Sequence, residues 1–99
     1  MISAMEDPPD LNLGSGVVAW WTSYGTQERV GLIERHPRPD TVVPCEGGVL
    51  FDLDGVREMF PDRALWQVVS FEPLTITPSL LCRRCGRHGF ITAGRWTPA

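Results

Sequence analysis

The chain contains no lysine; all nine of its cationic side chains are arginine, so no side chain offers a primary amine for isopeptide attachment. It also lacks any run of about 18 apolar residues, which removes a transmembrane helix from consideration. The opening Met1-Ile2-Ser3-Ala4-Met5-Glu6-Asp7 is acidic and has no apolar stretch of the kind a secretory signal needs, so the expected location is the cytoplasm. Histidine is scarce, with two residues, and cysteine is odd, with three. In an oxidising compartment an odd count leaves one thiol unpaired, and a Cys82–Cys85 bridge would close a strained short ring. In a reducing compartment the same thiols read as metal ligands or as small buried hydrophobes.

Acid is missing after Glu72. The first 72 residues hold all twelve acids and five Arg, net −7, whereas residues 73–99 hold four Arg and no acid, net +4. The modest overall charge of −3 therefore conceals a basic C-terminal segment built from Arg83, Arg84, Arg87 and Arg95. What is plentiful is apolar and turn-forming. At 42% apolar with four Trp and four Phe, 99 residues can bury one small core, and nine Pro with ten Gly imply short elements joined by many turns.

Along the chain, residues 1–15 read as a flexible N-terminal tail and 16–99 as a single small domain, with Gly14-Ser15-Gly16 as the hinge. Val17-Val18-Ala19-Trp20-Trp21 is strongly strand-forming, and Arg29-Val30-Gly31-Leu32-Ile33-Glu34 reads as its returning partner. Adjacent Trp residues on a strand point to opposite faces, so Trp20 and Trp21 cannot share one core. His36-Pro37-Arg38-Pro39-Asp40 is expected as an extended loop outside any ladder, because of its alternating prolines. Gly47-Gly48 is expected as a turn before the strand Val49–Leu53. Asp52-Leu53-Asp54-Gly55 opens like a calcium loop, but Arg63 stands where the bidentate Glu is needed. Asp54 is instead expected to cap a short helix, Gly55–Phe60, ended by Pro61. Leu65–Phe71 forms a further strand, potentially buried on both faces, and Leu74–Leu81 crosses in extended form. The predicted fold is mainly β (α+β): a small antiparallel sheet of five to seven strands, one short helix, and a C-terminal Cys knuckle plus β-hairpin.

That knuckle, Cys82-Arg83-Arg84-Cys85-Gly86, carries the chemistry. Two thiols two residues apart can meet at one ion when a tight turn joins them, and Gly86 supplies the positive φ such a turn needs. With Cys45 as third thiol and one His, a tetrahedral Cys₃His zinc site can close. His88 is the nearer candidate for the fourth ligand, although only two residues separate it from Cys85; His36 is the alternative. The bland reading is that all of these side chains simply pack or hydrogen-bond. Nucleic-acid contact is a third class of reading, with Arg83, Arg84 and Arg87 on phosphates and Phe90 or Trp96 stacked on bases; the acidic total charge opposes it.

Leu74-Thr75-Ile76-Thr77-Pro78-Ser79-Leu80-Leu81, then Cys85-Gly86-Arg87-His88-Gly89-Phe90-Ile91 and Gly94-Arg95-Trp96, resembles a family of small bacterial and phage proteins catalogued as a domain of unknown function. Gly31–His36 and Pro44–Gly47 resemble upstream parts of one branch, so the resemblance spans about residues 30–97. This chain carries Thr77 where those proteins usually have Ser, and it lacks the second Cys many of them carry near Cys45. Some of those proteins lie in operons encoding ubiquitin-like conjugation machinery, where a serine-peptidase role has been suggested. The resemblance thus implies Ser79 as nucleophile, His88 as its base, and a ubiquitin-like protein's tail or linkage as substrate, lying along Leu74–Leu81. An orienting acid would have to come from Asp52, Asp54 or Glu72, and oxyanion donors from the backbone near Gly86 and Gly89.

Overall fold

The β-branched and aromatic runs become strands, and three small antiparallel sheets share one core. In the computed structural model, which describes residues 7–99, the first sheet is β1 (Leu11–Gly14), β2 (Val17–Tyr24), β3 (Gln27–Arg38) and β4 (Thr41–Leu50), in that spatial order. Helix α1 (Asp54–Met59) follows. Next come the hairpin β5 (Gln67–Phe71) and β6 (Leu74–Thr77) and a three-stranded sheet of β7 (Leu80–Leu81), β8 (His88–Thr92) and β9 (Arg95–Pro98). The mainly-β expectation holds, with nine strands among the described residues in place of five to seven. Strand alternation puts Leu13, Val17, Ala19, Leu32, Val49 and Phe51 on one face of the first sheet, where they meet Leu74, Ile76, Leu80, Ile91 and Trp96 from the other two. No helix among the described residues is long and apolar enough to cross a membrane.

Several boundaries differ from the sequence expectation. Leu11–Gly14, assigned to the flexible tail, forms β1 against β2 with Leu13 buried, because an apolar residue there completes the core. The rest of that tail assignment, residues 1–6, lies outside the described residues. Trp21 packs against the core, and Trp20 lies buried on the opposite face. There its Nε1–H donates to the Asp7 carbonyl (2.9 Å) and the Arg35 guanidinium sits 5.0 Å over its ring. The chain just before β1 therefore supplies the second layer that adjacent tryptophans require.

The proline segment is not a free loop. β3 continues through His36 to Arg38, and the register shifts between His36 and Arg38, so Pro37 falls at an irregularity where a missing N–H costs no ladder bond. Gly47 and Gly48 lie within β4 and make no turn; each pairs across to β3. Asp54 does not cap α1: Leu53 holds the N-cap position with no side-chain bond, while Asp54 pairs with Arg57 one turn on. β5 is not buried on both faces, since Val69 is exposed.

Candidate metal centre

Register decides the site. His36 and Cys45 are direct partners across β3 and β4, so their side chains stand on the same face, the core face that carries Leu32 and Val49 further along. The pairing Leu80↔Gly89 and Leu81↔His88 makes β7 and β8 a hairpin whose loop is the Cys82–Cys85 knuckle. The loop is closed by Gly86 N–H donating to the Cys82 carbonyl (2.8 Å) and Cys82 N–H donating to the Arg87 carbonyl (2.8 Å), with Gly86 at φ +79° as the tight turn requires. Packing of this hairpin on the first sheet lays both knuckle thiols over His36 and Cys45.

One ligand atom from each of His36, Cys45, Cys82 and Cys85 lies within 4.8 Å of every other, and this group can hold a metal ion. His36 Nε2 is 3.3 Å from Cys85 Sγ. All three cysteines are free thiols. His36 and Cys45 are 3% and 0% exposed, so the inner half of the cluster is sealed, while the knuckle thiols are half-buried. The sequence placed His88 first as fourth ligand and His36 second; the gathered group contains His36. In an antiparallel hairpin His88 sits opposite Leu81, past the loop, and its ring faces Ser79. The expectation of an extended loop at His36 hid its ladder position facing Cys45.

A residue not anticipated from sequence completes the centre. Glu34, two residues before His36 on the same face, accepts a bond from His36 Nδ1–H (2.8 Å) and leaves Nε2 directed at the thiols. The Glu-x-His spacing on a strand is the signal that could have found it. Gly47, Glu34's register partner, leaves close space there: a Cβ would stand 3.2 Å from Glu34 Oε1, a tight contact. Burial pushes the Glu34 carboxyl up, against the pull of His36. Burial opposes charging of His36, yet the bond to Glu34 and the nearby thiols raise it overall. Burial also pushes the Cys45 thiol up to about 11. At Cys82 burial acts in the same upward sense but is outweighed by bonds from the Cys85 and Arg84 backbone and from the other two thiols, leaving it lowered to about 7. One thiol is therefore readily ionised beside two that share its surroundings.

Ser79 and His88 do meet: Ser79 Oγ lies 2.7 Å from His88 Nε2 on an exposed surface. The remaining parts of the hydrolase reading do not assemble around them. Asp52 and Asp54 are both engaged by Arg57, and no described carboxylate bonds to His88, whose ring leans on Phe90 instead. Gly86 N–H is occupied by the Cys82 carbonyl, and Gly89 is a buried ladder residue between Leu80 and Pro98. For the nucleic-acid reading, Trp96 is buried in the core beneath the Arg87 guanidinium, and only Phe90 is exposed. Arg83 and Arg84 are exposed on the knuckle, and neither forms an ion pair among the described residues.

Fold and site together define a small mainly-β domain with a buried His–Cys₃ group able to hold a metal ion. Comparison with protein-family models, with curated proteins and with solved structures found no match.

Proposed function

We propose that this chain is a zinc-stabilised binding module in which His36, Cys45, Cys82 and Cys85 hold one structural zinc ion. The observation that carries the reading is the convergence of those four ligand atoms within 4.8 Å of one another. Zinc takes sulfur at about 2.3 Å and imidazole nitrogen at about 2.0–2.1 Å, so tetrahedral ligands stand roughly 3.8 Å apart. Closing this group on zinc requires contraction of at most about 1 Å along any edge, within reach of side-chain torsions. Three thiols and an imidazole are the soft donor set zinc favours over calcium or magnesium, and four protein ligands leave no open position for substrate. The ion's role is thus a staple that fastens the β7–β8 hairpin to β3 and β4. Reduced thiols fit a reducing compartment such as the cytoplasm.

Elemental analysis by inductively coupled plasma mass spectrometry should find about one zinc per chain. A strong chelator should unfold the domain, since structural zinc can contribute about 10 kcal/mol or more of folding free energy. Metal-free protein with an unchanged melting temperature would end the reading.

A second reading is favoured by the Ser79–His88 contact: a hydrolase of the kind the family resemblance implies, acting on the tail or linkage of a ubiquitin-like protein. With His36 in the metal group, His88 is left with both ring nitrogens free of metal, so the two readings no longer compete for one residue. A dyad without an orienting carboxylate is a weak base catalyst, which ranks this second.

A further inference from the structure

A cleft of about 260 Å³ lies beside the metal group, and its two long walls are both sheet edges. One wall is β4, the last strand of the first sheet, contributing Glu46 to Val49; the other is β7 with the knuckle, contributing Leu80 to Arg84. Trp66 and Trp96 also line it. The outward backbone groups of β4 can be assigned from its neighbours. Phe51 N–H donates inward to the Val30 carbonyl, whereas the Leu50 carbonyl accepts outward from Trp66 N–H. By strand alternation Gly48 and Glu46 also present N–H and C=O outward, and Trp66 is where the edge's pairing stops. No described backbone group takes up those two residues. A Cβ added at Gly48 would meet nothing within 4 Å, so the sheet face beside this edge is uncovered at that point.

The charge of the cleft is one-sided. Its two acids are already engaged, Glu46 by the Arg35 guanidinium (2.7 Å) and Glu34 as acceptor of the His36 Nδ1–H. Arg87 lies over Trp96 and donates to the Ser15 carbonyl. Arg83 and Arg84 are left without a described counter-charge at the rim. An unpaired strand edge recognises extended polypeptide, an indole-lined floor recognises apolar side chains, and two free guanidinium groups recognise carboxylates. We infer that this cleft binds an extended acidic peptide segment of a partner protein, added as a strand along Glu46–Gly48 of β4 with its carboxylates on Arg83 and Arg84. The inference rests on the binding-module reading and names its partner class. Single-stranded nucleic acid, the other polyanion, does not use a strand edge.

The test uses the full chain as purified, with zinc content measured on the same sample. A fluorescein-labelled peptide of about eight residues alternating Val and Asp is titrated by fluorescence anisotropy. Controls are the Val/Lys analogue, the Val/Asp peptide N-methylated at alternate residues, and a single-stranded oligonucleotide of similar charge. The expected result is binding of the Val/Asp peptide alone, with the Gly48 amide among the largest shifts in a ¹⁵N correlation spectrum. R83E/R84E should weaken binding about tenfold or more while melting temperature and zinc content stay unchanged. Metal-free protein that still binds this way would refute the zinc reading and support the cleft. Failure of folded protein to bind the Val/Asp peptide overturns the cleft, as does equal binding of the N-methylated peptide, preference for the oligonucleotide, or indifference to R83E/R84E.

Discussion

His36→Ala, set against His88→Ala, is the most informative perturbation. His36 is 3% exposed and bonded at both ring nitrogens, to Glu34 on one side and toward Cys85 on the other. On the zinc reading its removal takes one of four ligands from the ion, and it leaves Glu34 buried without its hydrogen-bond partner. Leaving a buried carboxyl without its hydrogen-bond partner costs about 1–3 kcal/mol or more before any metal is counted. A domain of 99 residues has a total stability on the order of 5–15 kcal/mol, so H36A should unfold at or near physiological temperature and purify without zinc. His88 is exposed, its ring bonded to Ser79 and beside Phe90, so H88A should change stability by less than about 1 kcal/mol and keep its zinc. Because H36A alone confuses loss of metal with loss of fold, His36→Cys serves as rescue: four thiolates still suit zinc, and stoichiometry should return to about one. The assays are elemental analysis and thermal melting with and without chelator. Retention of zinc by H36A with its loss from H88A would refute the ligand assignment.

Three further outcomes follow from the same geometry. Glu34→Gln keeps the shape but weakens the acceptor for His36 Nδ1–H, and zinc affinity measured by chelator competition should fall about 10–100-fold while the apo spectrum is unchanged; unaltered affinity would deny Glu34 its orienting role. Gly89→Ala places a methyl 2.5 Å from the Thr97 carbonyl oxygen and 2.6 Å from the Trp96 ring, so it should cost about 1–3 kcal/mol or more in denaturant unfolding, and a wild-type midpoint would contradict this packing. A fluorophosphonate probe tests the second reading: labelling of wild type but not of Ser79→Ala or His88→Ala would establish an activated serine, and absence of labelling would leave Ser79 and His88 as a surface hydrogen bond.

The sequence by itself determined the mainly-β class, since β-branched and aromatic runs punctuated by Gly and Pro admit little else, and it determined the knuckle, whose two thiols and positive-φ Gly86 are local in the chain. It also determined that Trp20 and Trp21 face opposite ways, because strand alternation is a backbone property. Only the tertiary structure decided which histidine joins the thiols. His88 is close in sequence to Cys85, but the hairpin register turns its ring toward Ser79; His36 is 49 residues from Cys85 and reaches it through cross-strand pairing with Cys45 and the docking of one sheet on another. Proline obscured that pairing, for Pro37 reads as a ladder breaker unless the register shift that accommodates it is known. Glu34 was hidden for a related reason. It lies beside His36 with Gly47 opposite it, and which residues lie opposite one another is fixed by register and packing, not by any single strand's sequence.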